Sequence, residues 1–434
     1  MIKKLVLVFI AVYAIKSYGQ EGTASPYSFY GIGSLKFKGT VENRSMGGLS
    51  IYTDSIHINL RNPASYAGNN LTILNNESRP VKFTVGGSHS SVNFKSNSGS
   101  DNSSSTTFDY LALSLPVGKF GIGFGLLPFT SVGYKLESLN QEGDLSYRFR
   151  GQGGLNKAFF GLGYQITPDL SIGIDFQYNF GNIQNSTIAF TYDDDGDLTQ
   201  YQSRENNRSD LSGLNLNLGV SYKKMLNDNL EFVSGLTLTP ESKLGSKNER
   251  SFSTVTIGTT GQEFVAETIN TDLESIGLKE TDLILPSKFS IGAGIGKPTS
   301  WFVGAEYTTQ KISNFSNELY SSNITNYEDA NTFSFGGFYI PQYNSFSSYF
   351  KQVVYRAGLR FEKTGLIIND ESIKEFGISF GLGLPVGSFF SNANLGFELG
   401  KRGTVNSNLI QENFVNFQLS LSLNDRWFAK RKYD

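Results

Sequence analysis

Histidine is scarce in this chain, so its two copies, His57 and His89, are the first places to look for acid–base chemistry. His89 stands two residues before Ser91 in GGSHSSVNF, and residues two apart on a β-strand share a face. At that spacing a histidine can act as the base for a serine nucleophile. No Asn or Asp can be assigned to orient the ring, so the pattern equally fits two polar residues at the outer end of a strand. His57 lies beside Asp54 and Ser55, but closeness in sequence is not the geometry of a catalytic triad.

The sequence offers few residues for other kinds of catalytic or metal-binding chemistry. The chain contains no cysteine, which excludes disulfides, thiolate metal sites and cysteine nucleophiles. The aspartates of YDDDGDLTQY (192–201) offer oxygen atoms to Ca²⁺, but a Glu and further oxygen ligands at set spacing are missing. Asp195-Gly196 favours a tight hairpin turn there instead. We therefore expect no metal, no cofactor and no enzyme, and a formal net charge of −2 does not suggest a nucleic-acid partner.

The N-terminal residues predict export from the cytoplasm. MIKKLVLVFIAVYAIKSYG (1–19) contains two adjacent lysines, an apolar run over 5–15 and small residues near its end. This is the pattern of a cleaved secretory signal peptide, and it is too short for a spanning helix.

Most of the remaining chain alternates with period two. DLSIGIDFQYNFG (169–181), LNLNLGVSYKK (214–224) and FGISFGLGLP (376–385) each carry one apolar and one mostly polar or glycine-rich face. A continuous apolar face over segments of about ten residues is typical of a transmembrane β-barrel. A soluble β-sandwich also alternates, but its apolar sets are shorter and its outer face carries more Lys and Glu.

The alternation predicts 14 strands, and an even number lets a single-chain barrel begin and end on the periplasmic side. The 14 predicted segments are 80–94, 106–116, 119–137, 144–166, 169–193, 197–224, 229–243, 285–297, 300–312, 331–340, 350–363, 373–384, 390–402 and 411–424. Short connections such as LPVGKF (115–120) are expected in the periplasm. The long polar connections near 95–105, 243–285 and 312–331 are expected outside the cell.

The third predicted strand contains a proline where a barrel has no edge to tolerate it. Pro128 removes a ladder hydrogen bond in KFGIGFGLLPFTSVGYKLE (119–137), which implies a kink and a local gap in pairing. Leu126, Leu127 and Phe129 would line this gap. The rise of a tilted strand places it within the bilayer, toward the outer leaflet. The alternative is that Pro128 marks the extracellular end of the strand, where pairing frays.

One segment does not alternate, and the strands suggest where it goes. NRSMGGLSIYTDSIHINLRNPASYAG (43–68) is glycine-punctuated and precedes the first barrel strand. Glycines recur on the inward face of several strands, and glycine within a strand often marks the close approach of another backbone. The segment is therefore predicted to fold inside the lumen as a hatch. Its proposed turns are Met46-Gly47-Gly48 and Asn62-Pro63-Ala64.

The predicted organisation is an all-β chain, a 14-stranded antiparallel transmembrane barrel with an N-terminal hatch in its lumen. The signal peptide covers 1–19, the hatch 20–79, the barrel 80–428 and a periplasmic tail 429–434.

These parts resemble the FadL/TodX family of outer-membrane transporters for long-chain fatty acids and other hydrophobic compounds. The resemblance rests on Asn62-Pro63-Ala64 at the end of the pre-barrel segment, on Met46-Gly47-Gly48, and on Pro128 in the third strand. The C-terminal WFAKRKYD (427–434) is similar in style to members from Bacteroidota. The resemblance implies passive uptake of apolar ligands from the cell surface, with release sideways through the kinked strand. It also implies location in the outer membrane of a Gram-negative bacterium, in contact with lipid and lipopolysaccharide.

A carboxylate clamp for fatty acids cannot be picked out from the sequence. Arg61, Arg148, Arg150, Arg356 and Arg360 are candidates only by charge and by inward parity. The identity of the ligand therefore stays open.

Two alternatives to transport remain at this stage. A barrel of this kind can be a fixed, non-conducting subunit of an outer-membrane machine, such as type IX secretion or barrel assembly, with other outer-membrane proteins as partners. Long loops such as 243–285 would then be docking surfaces. The remote alternative is an outer-membrane phospholipase, in which a His-x-Ser pair on a barrel strand is catalytic, but VNFKSN (92–97) does not reproduce the motif that follows that pair.

Overall fold

The structure is a computed structural model that describes residues 22–68, 80–258, 260–315, 325–386 and 391–425. The predicted signal peptide, the last part of the predicted hatch, and the tail with Trp427 and Phe428 lie outside these residues. Among the described helices, none has both the length and the apolar character that crossing a membrane requires.

One antiparallel sheet accounts for nearly all of the described structure. Its strands are β1 Ser34–Leu35, β2 Val81–Lys95, β3 Ser100–Val117, β4 Phe120–Pro128, β5 Thr130–Leu139, β6 Leu145–Gln165, β7 Leu170–Ala189, β8 Gln202–Asn227, β9 Leu230–Thr239, β10 Ser242–Ile257, β11 Glu263–Asn270, β12 Glu280–Leu285, β13 Lys288–Lys297, β14 Trp301–Gln310, β15 Thr325–Tyr327, β16 Ala330–Tyr339, β17 Val354–Ile368, β18 Glu371–Pro385, β19 Asn392–Arg402 and β20 Gln411–Asp425.

In the described residues, helical structure is limited to short pieces. They are the single α-helical turn α1 Val41–Arg44 and the 3₁₀ helices Pro26–Phe29, Pro63–Tyr66, Ile312–Asn314, Tyr349–Lys351 and Asn406–Asn408.

The sheet closes on itself because β2 pairs with β20 as well as with β3. The predicted barrel of 14 antiparallel strands is confirmed. Three barrel strands are built from two pieces each, namely β4 with β5, β9 with β10, and β12 with β13. A proline stands at each break, Pro128, Pro240 and Pro286, because proline has no N–H to continue the ladder. Among the described strands, β1, β11 and β15 are additions to this wall.

The apolar face of the barrel strands points outward. On β7 the side chains of Phe176 and Tyr178 are 48% and 46% exposed, whereas Asp175 and Asn179, which flank them in sequence, are 1% and 0% exposed. Polar residues therefore face a filled lumen, and aromatic and aliphatic residues face the position of the lipid.

The prediction of a long polar loop at 243–285 is wrong in part. β10 continues to Ile257, β11 follows it, and β12 starts at Glu280. This region lacks the continuous apolar face of a membrane strand because it extends beyond the bilayer, so regular alternation does not reveal its strands.

The orientation of β7 can be tested at Phe176. This residue lies six residues above the periplasmic end of β7 at Leu170, about 14 Å along the membrane normal, near the bilayer midplane. Phe176→Arg is expected to lower the free energy of unfolding in lipid vesicles by about 2–4 kcal/mol. Denaturant titration would measure it. The matched control is Tyr201→Arg, at an exposed residue beyond the extracellular end of β7. Equal effects of the two substitutions would contradict the orientation.

Candidate functional site

The predicted motif Asn62-Pro63-Ala64 forms the start of a 3₁₀ helix in the hatch. The Asn62 side chain accepts a hydrogen bond from the Ala64 amide at 3.0 Å, and Pro63 occupies the first helical position. Asn is a favoured N-cap and Pro suits the first turn because its missing N–H needs no partner there. Asn62 also donates from Nδ2 to the Val220 carbonyl of the barrel wall at 3.0 Å.

Glycines on β4, β7 and β8 make room for this motif. A methyl group on Gly121 would lie 1.7 Å from the Tyr66 carbonyl oxygen, and one on Gly173 would lie 2.4 Å from the Pro63 carbonyl carbon. On β8, a methyl group on Gly219 would lie 2.2 Å from Asn62 Oδ1. The wall therefore has no side chains at the positions where the backbone of residues 62–66 contacts it.

The second predicted turn, Met46-Gly47-Gly48, lies against the other side of the barrel. Its backbone sits over Gly336 on β16 and Gly358 on β17, where added methyl groups would be 2.5 Å from the Met46 carbonyl oxygen and 2.1 Å from the Gly47 amide nitrogen. Gly47 has a φ of +70°, which L side chains rarely adopt. Since one hatch segment contacts β4, β7 and β8 as well as β16 and β17, we infer that it crosses the lumen.

Three basic side chains of the hatch pair with buried acids of the wall. The ion pairs are Lys38–Glu375 at 2.6 Å, Arg44–Asp109 at 2.8 Å and Arg61–Glu306 at 2.8 Å. The acids belong to β18, β3 and β14, and each is no more than 6% exposed. Removing one partner of such a pair leaves an uncompensated buried charge, so these pairs hold the hatch on three sides.

Asp109 was not recognised from the sequence. It is the extra residue at a β-bulge, since the β2–β3 register shifts between Gly86 and Gly87, where Gly86 pairs with Tyr110 and Gly87 with Phe108. The bulge lets the carboxylate reach Arg44 of α1. The sequence feature that could have revealed Asp109 is an acid between two aromatic residues in TTFDYLAL, where the rest of the strand becomes apolar.

The lumen arginines proposed as a carboxylate clamp are mostly paired already. Arg61 binds Glu306, Arg148 binds Glu137, and Arg150 binds Glu263. Arg360 contacts both Glu375 and Glu398, at 2.5 Å and 2.7 Å. Arg356 instead donates to Asn394 Oδ1 at 3.1 Å.

The third barrel strand is broken at Pro128, the residue at which the sequence predicts a kink. β4 ends at Pro128, and Phe129 donates its N–H to the Leu155 carbonyl of β6 at 2.7 Å. Because successive N–H groups of a strand point to opposite sides, the ring nitrogen of Pro128 faces β3. Pairing of β3 with β4 stops at Leu111, and the described part of β3 beyond it pairs with β2 alone. Leu126 is exposed and Leu127 is buried at this break.

Hatch residues occupy the inner side of the break. β1 pairs with the start of β5 through Ser34–Ser131 and Leu35–Thr130, an extra strand that was not predicted. Phe37 packs edge-on against Tyr110, with ring centroids 6.3 Å apart. Val41, Tyr110 and Leu127 belong to one buried cluster.

Two cavities in the described part of the chain bear on entry from outside the cell. An apolar one of about 120 Å³ is bounded by Phe129 of the kink and by Tyr27, Tyr30, Ile32 and Phe315. The other, of about 700 Å³, lies near the extracellular end and is lined mainly by polar residues, among them Asn185, Asn207, Asn248, Arg250 and Asn270. A compound that enters from outside meets the polar cavity first.

The contacts of the two histidines are not those of a catalytic triad. His89 and Ser91 are exposed on one face of β2, as predicted, but His89 Nδ1 lies 2.8 Å from Thr106 Oγ1. His57 Nδ1 lies 2.7 Å from Asp54 Oδ2 within the hatch. Burial alone would raise the pKa of Asp54, but its contacts with His57 outweigh burial and hold that pKa below its usual range.

The closed 14-stranded barrel is the fold of FadL-type outer-membrane proteins. The toluene transporter TodX of Pseudomonas putida matches with a TM-score of 0.60 and 15% identity, over 90% of this chain and 99% of that one. A FadL homologue of Pseudomonas aeruginosa matches with a TM-score of 0.57 and 11% identity, over 90% and 98%. The monoaromatic hydrocarbon channel CymD matches with a TM-score of 0.55 and 12% identity, over 90% and 98%. At these identities the likeness shows the fold.

Within that class the chain belongs to the BamG family, whose model matches residues 1–434. A search of curated proteins finds no match.

The contribution of the ion pairs can be tested at Arg44. Arg44→Ala leaves Asp109 buried without its cation, at an expected cost of about 3–5 kcal/mol to the docked hatch. We expect transient ion conductance in planar bilayers where the parent protein is silent. The control is Arg208→Ala, which removes an ion pair to Asp210 between two side chains that are each nearly half exposed. A silent Arg44→Ala protein would show that the pair does not hold the hatch.

Proposed function

We propose that the chain is a sealed FadL-type barrel that acts as a fixed subunit of an outer-membrane machine, and that this machine is the one that assembles β-barrels. The observation that carries the proposal is the fixing of the hatch. Buried ion pairs reach from it to β3, β14 and β18, and its own β1 adds to β5 beside the kink. A barrel that only supports other proteins has no need to open. The family name BamG is in keeping with a role in barrel assembly.

The described cavities support the same proposal. A hydrophobic compound needs an apolar surface to collect on, whereas the cavity at the extracellular end is lined mainly by polar and charged side chains. The apolar cavity behind it, about 120 Å³, is smaller than the roughly 300–1,000 Å³ of ordinary ligand pockets. Of these two described cavities, the apolar one is below that range and the large one is polar.

A second candidate function is passive uptake of hydrophobic compounds with lateral release at the kink. It is favoured by the position of the small apolar cavity, which Phe129 of the kink bounds directly. The fold shared with TodX and CymD supports it as well. Since four of the five candidate arginines are already paired with acids, the ligand on this proposal is a small neutral compound and not a carboxylate.

The two functions predict different results in the native membrane. For the subunit, the tagged chain is expected to purify from outer membranes in a stoichiometric complex, and its depletion is expected to lower the amounts of other outer-membrane barrels. Uptake of toluene by the depleted cells should not change. A chain that purifies alone, with normal levels of other barrels and slower toluene uptake, would refute the subunit role and support the channel.

The substitution Pro128→Ala distinguishes the two candidate functions. The alanine restores an N–H on the side that faces β3 and is expected to extend pairing beyond Leu111–Leu126. As a subunit, the variant should support barrel assembly like the parent. As a channel, it should release toluene into proteoliposome membranes more slowly, measured against Pro240→Ala at the break between β9 and β10. Unchanged release would remove the gate from the channel hypothesis.

A further inference from the structure

The hairpin of β10 and β11 ends in an open strand edge outside the membrane. Ser251–Ile257 of β10 pair with Glu263–Asn270, and among the described residues β10 is the strand partner of β11. Ser251 pairs with Asn206 of β8, which lies 21 residues above the periplasmic end of that strand at Asn227. At the usual rise and tilt this is about 50 Å, well beyond a hydrocarbon core of about 25–30 Å. The free edge of β11 therefore presents unpaired backbone groups to the cell exterior.

Apolar side chains on this hairpin are exposed although no lipid surrounds them. Phe252, Phe264 and Ile269 are 48%, 53% and 65% exposed, and Phe252 pairs directly with Ile269 across the two strands. Seven of the eight residues of β11 are exposed. An open edge combined with an exposed apolar cluster is the kind of surface that receives a strand from another protein.

The charge of the hairpin specifies the partner further. Residues 263–279 contain four acids, Glu263, Glu267, Asp272 and Glu274, and one base, Lys279, which is paired with Glu274. Glu263 is bound to Arg150 of the wall, whereas Glu267 is exposed on β11 opposite Thr254. A strand added to this edge places its side chains next to Glu267, where a basic residue is favoured over an acidic one.

We infer that the free edge of β11 is a docking site for an extended, basic strand of a partner protein, which adds to the sheet by backbone hydrogen bonding. The inference rests on the proposed role as a subunit and names the surface through which the chain holds its partner. The apolar pair Phe252–Ile269 supplies apolar contact, the β11 backbone supplies affinity, and Glu267 supplies selectivity by charge.

The test uses the purified full chain in detergent micelles and two labelled synthetic peptides, one of alternating valine and lysine and one of alternating valine and glutamate. We expect the lysine peptide to bind roughly fivefold more tightly in fluorescence anisotropy, as one or two exposed ion pairs allow. Amide hydrogen exchange should slow over 263–270 when it binds. Glu267→Lys should reverse the preference, a gain of binding to the glutamate peptide that misfolding would not produce.

The matched control is Glu142→Lys, which makes the same charge change at an exposed turn between β5 and β6. It should leave the preference of the parent chain intact. Equal binding of both peptides, a preference that Glu267→Lys does not alter, or exchange protection only outside 263–270 would overturn the inference. So would preferential binding of the hairpin to phosphatidylethanolamine vesicles or to dextran oligosaccharide. Because the isolated chain is used, this inference can fail while the native complex is intact, which separates it from failure of the proposed function.

Discussion

A backbone that crosses a membrane as strands must satisfy its hydrogen bonds within the sheet, and the rest of this structure depends on that constraint. Closure of β2 onto β20 meets it for the wall as a whole. Each proline break then needs a local solution. At Pro128 the lost pairing with β3 is compensated from inside, where β1 adds to β5 and Phe37 packs on Tyr110. The break at Pro128 and the hatch are therefore structurally coupled, because hatch residues pack against the wall at the break.

The lumen combines two kinds of contact that act differently. Glycines such as Gly173 and Gly358 let the hatch backbone approach the wall, which sets position but provides little energy against withdrawal. The ion pairs to Glu375, Asp109 and Glu306 provide that energy, because a separated buried charge has no water to replace its partner. The barrel fold is shared with transporters. Whether the hatch moves depends on how strongly its ion pairs hold it to the wall.

Exposed apolar side chains on the outer surface lie both within the height of the membrane and beyond it. Along β7, aromatic residues such as Phe176 face the lipid region, and their exposure there needs no protein partner. On the β10–β11 hairpin, Phe252 and Ile269 are exposed to a similar degree but stand in water. Exposed apolar side chains therefore indicate contact with lipid within the bilayer and contact with a protein outside it. Only the height of the strand relative to the membrane distinguishes the two cases.

How much could be read from the sequence follows from the range of the interactions. Period-two alternation is local, so it determined the barrel and its 14 strands. The break between β4 and β5 is indicated by a single residue, Pro128. The glycines and Asn62-Pro63-Ala64 predicted a non-strand segment against the wall, because backbone approach leaves a trace at single positions. The partners of Arg44 and Arg61, the bulge at Asp109 and the strand β1 were decided by the tertiary structure alone. Ion pairs join residues 65 and 245 positions apart in these cases, and no local pattern records which buried charges meet once the barrel closes around the hatch.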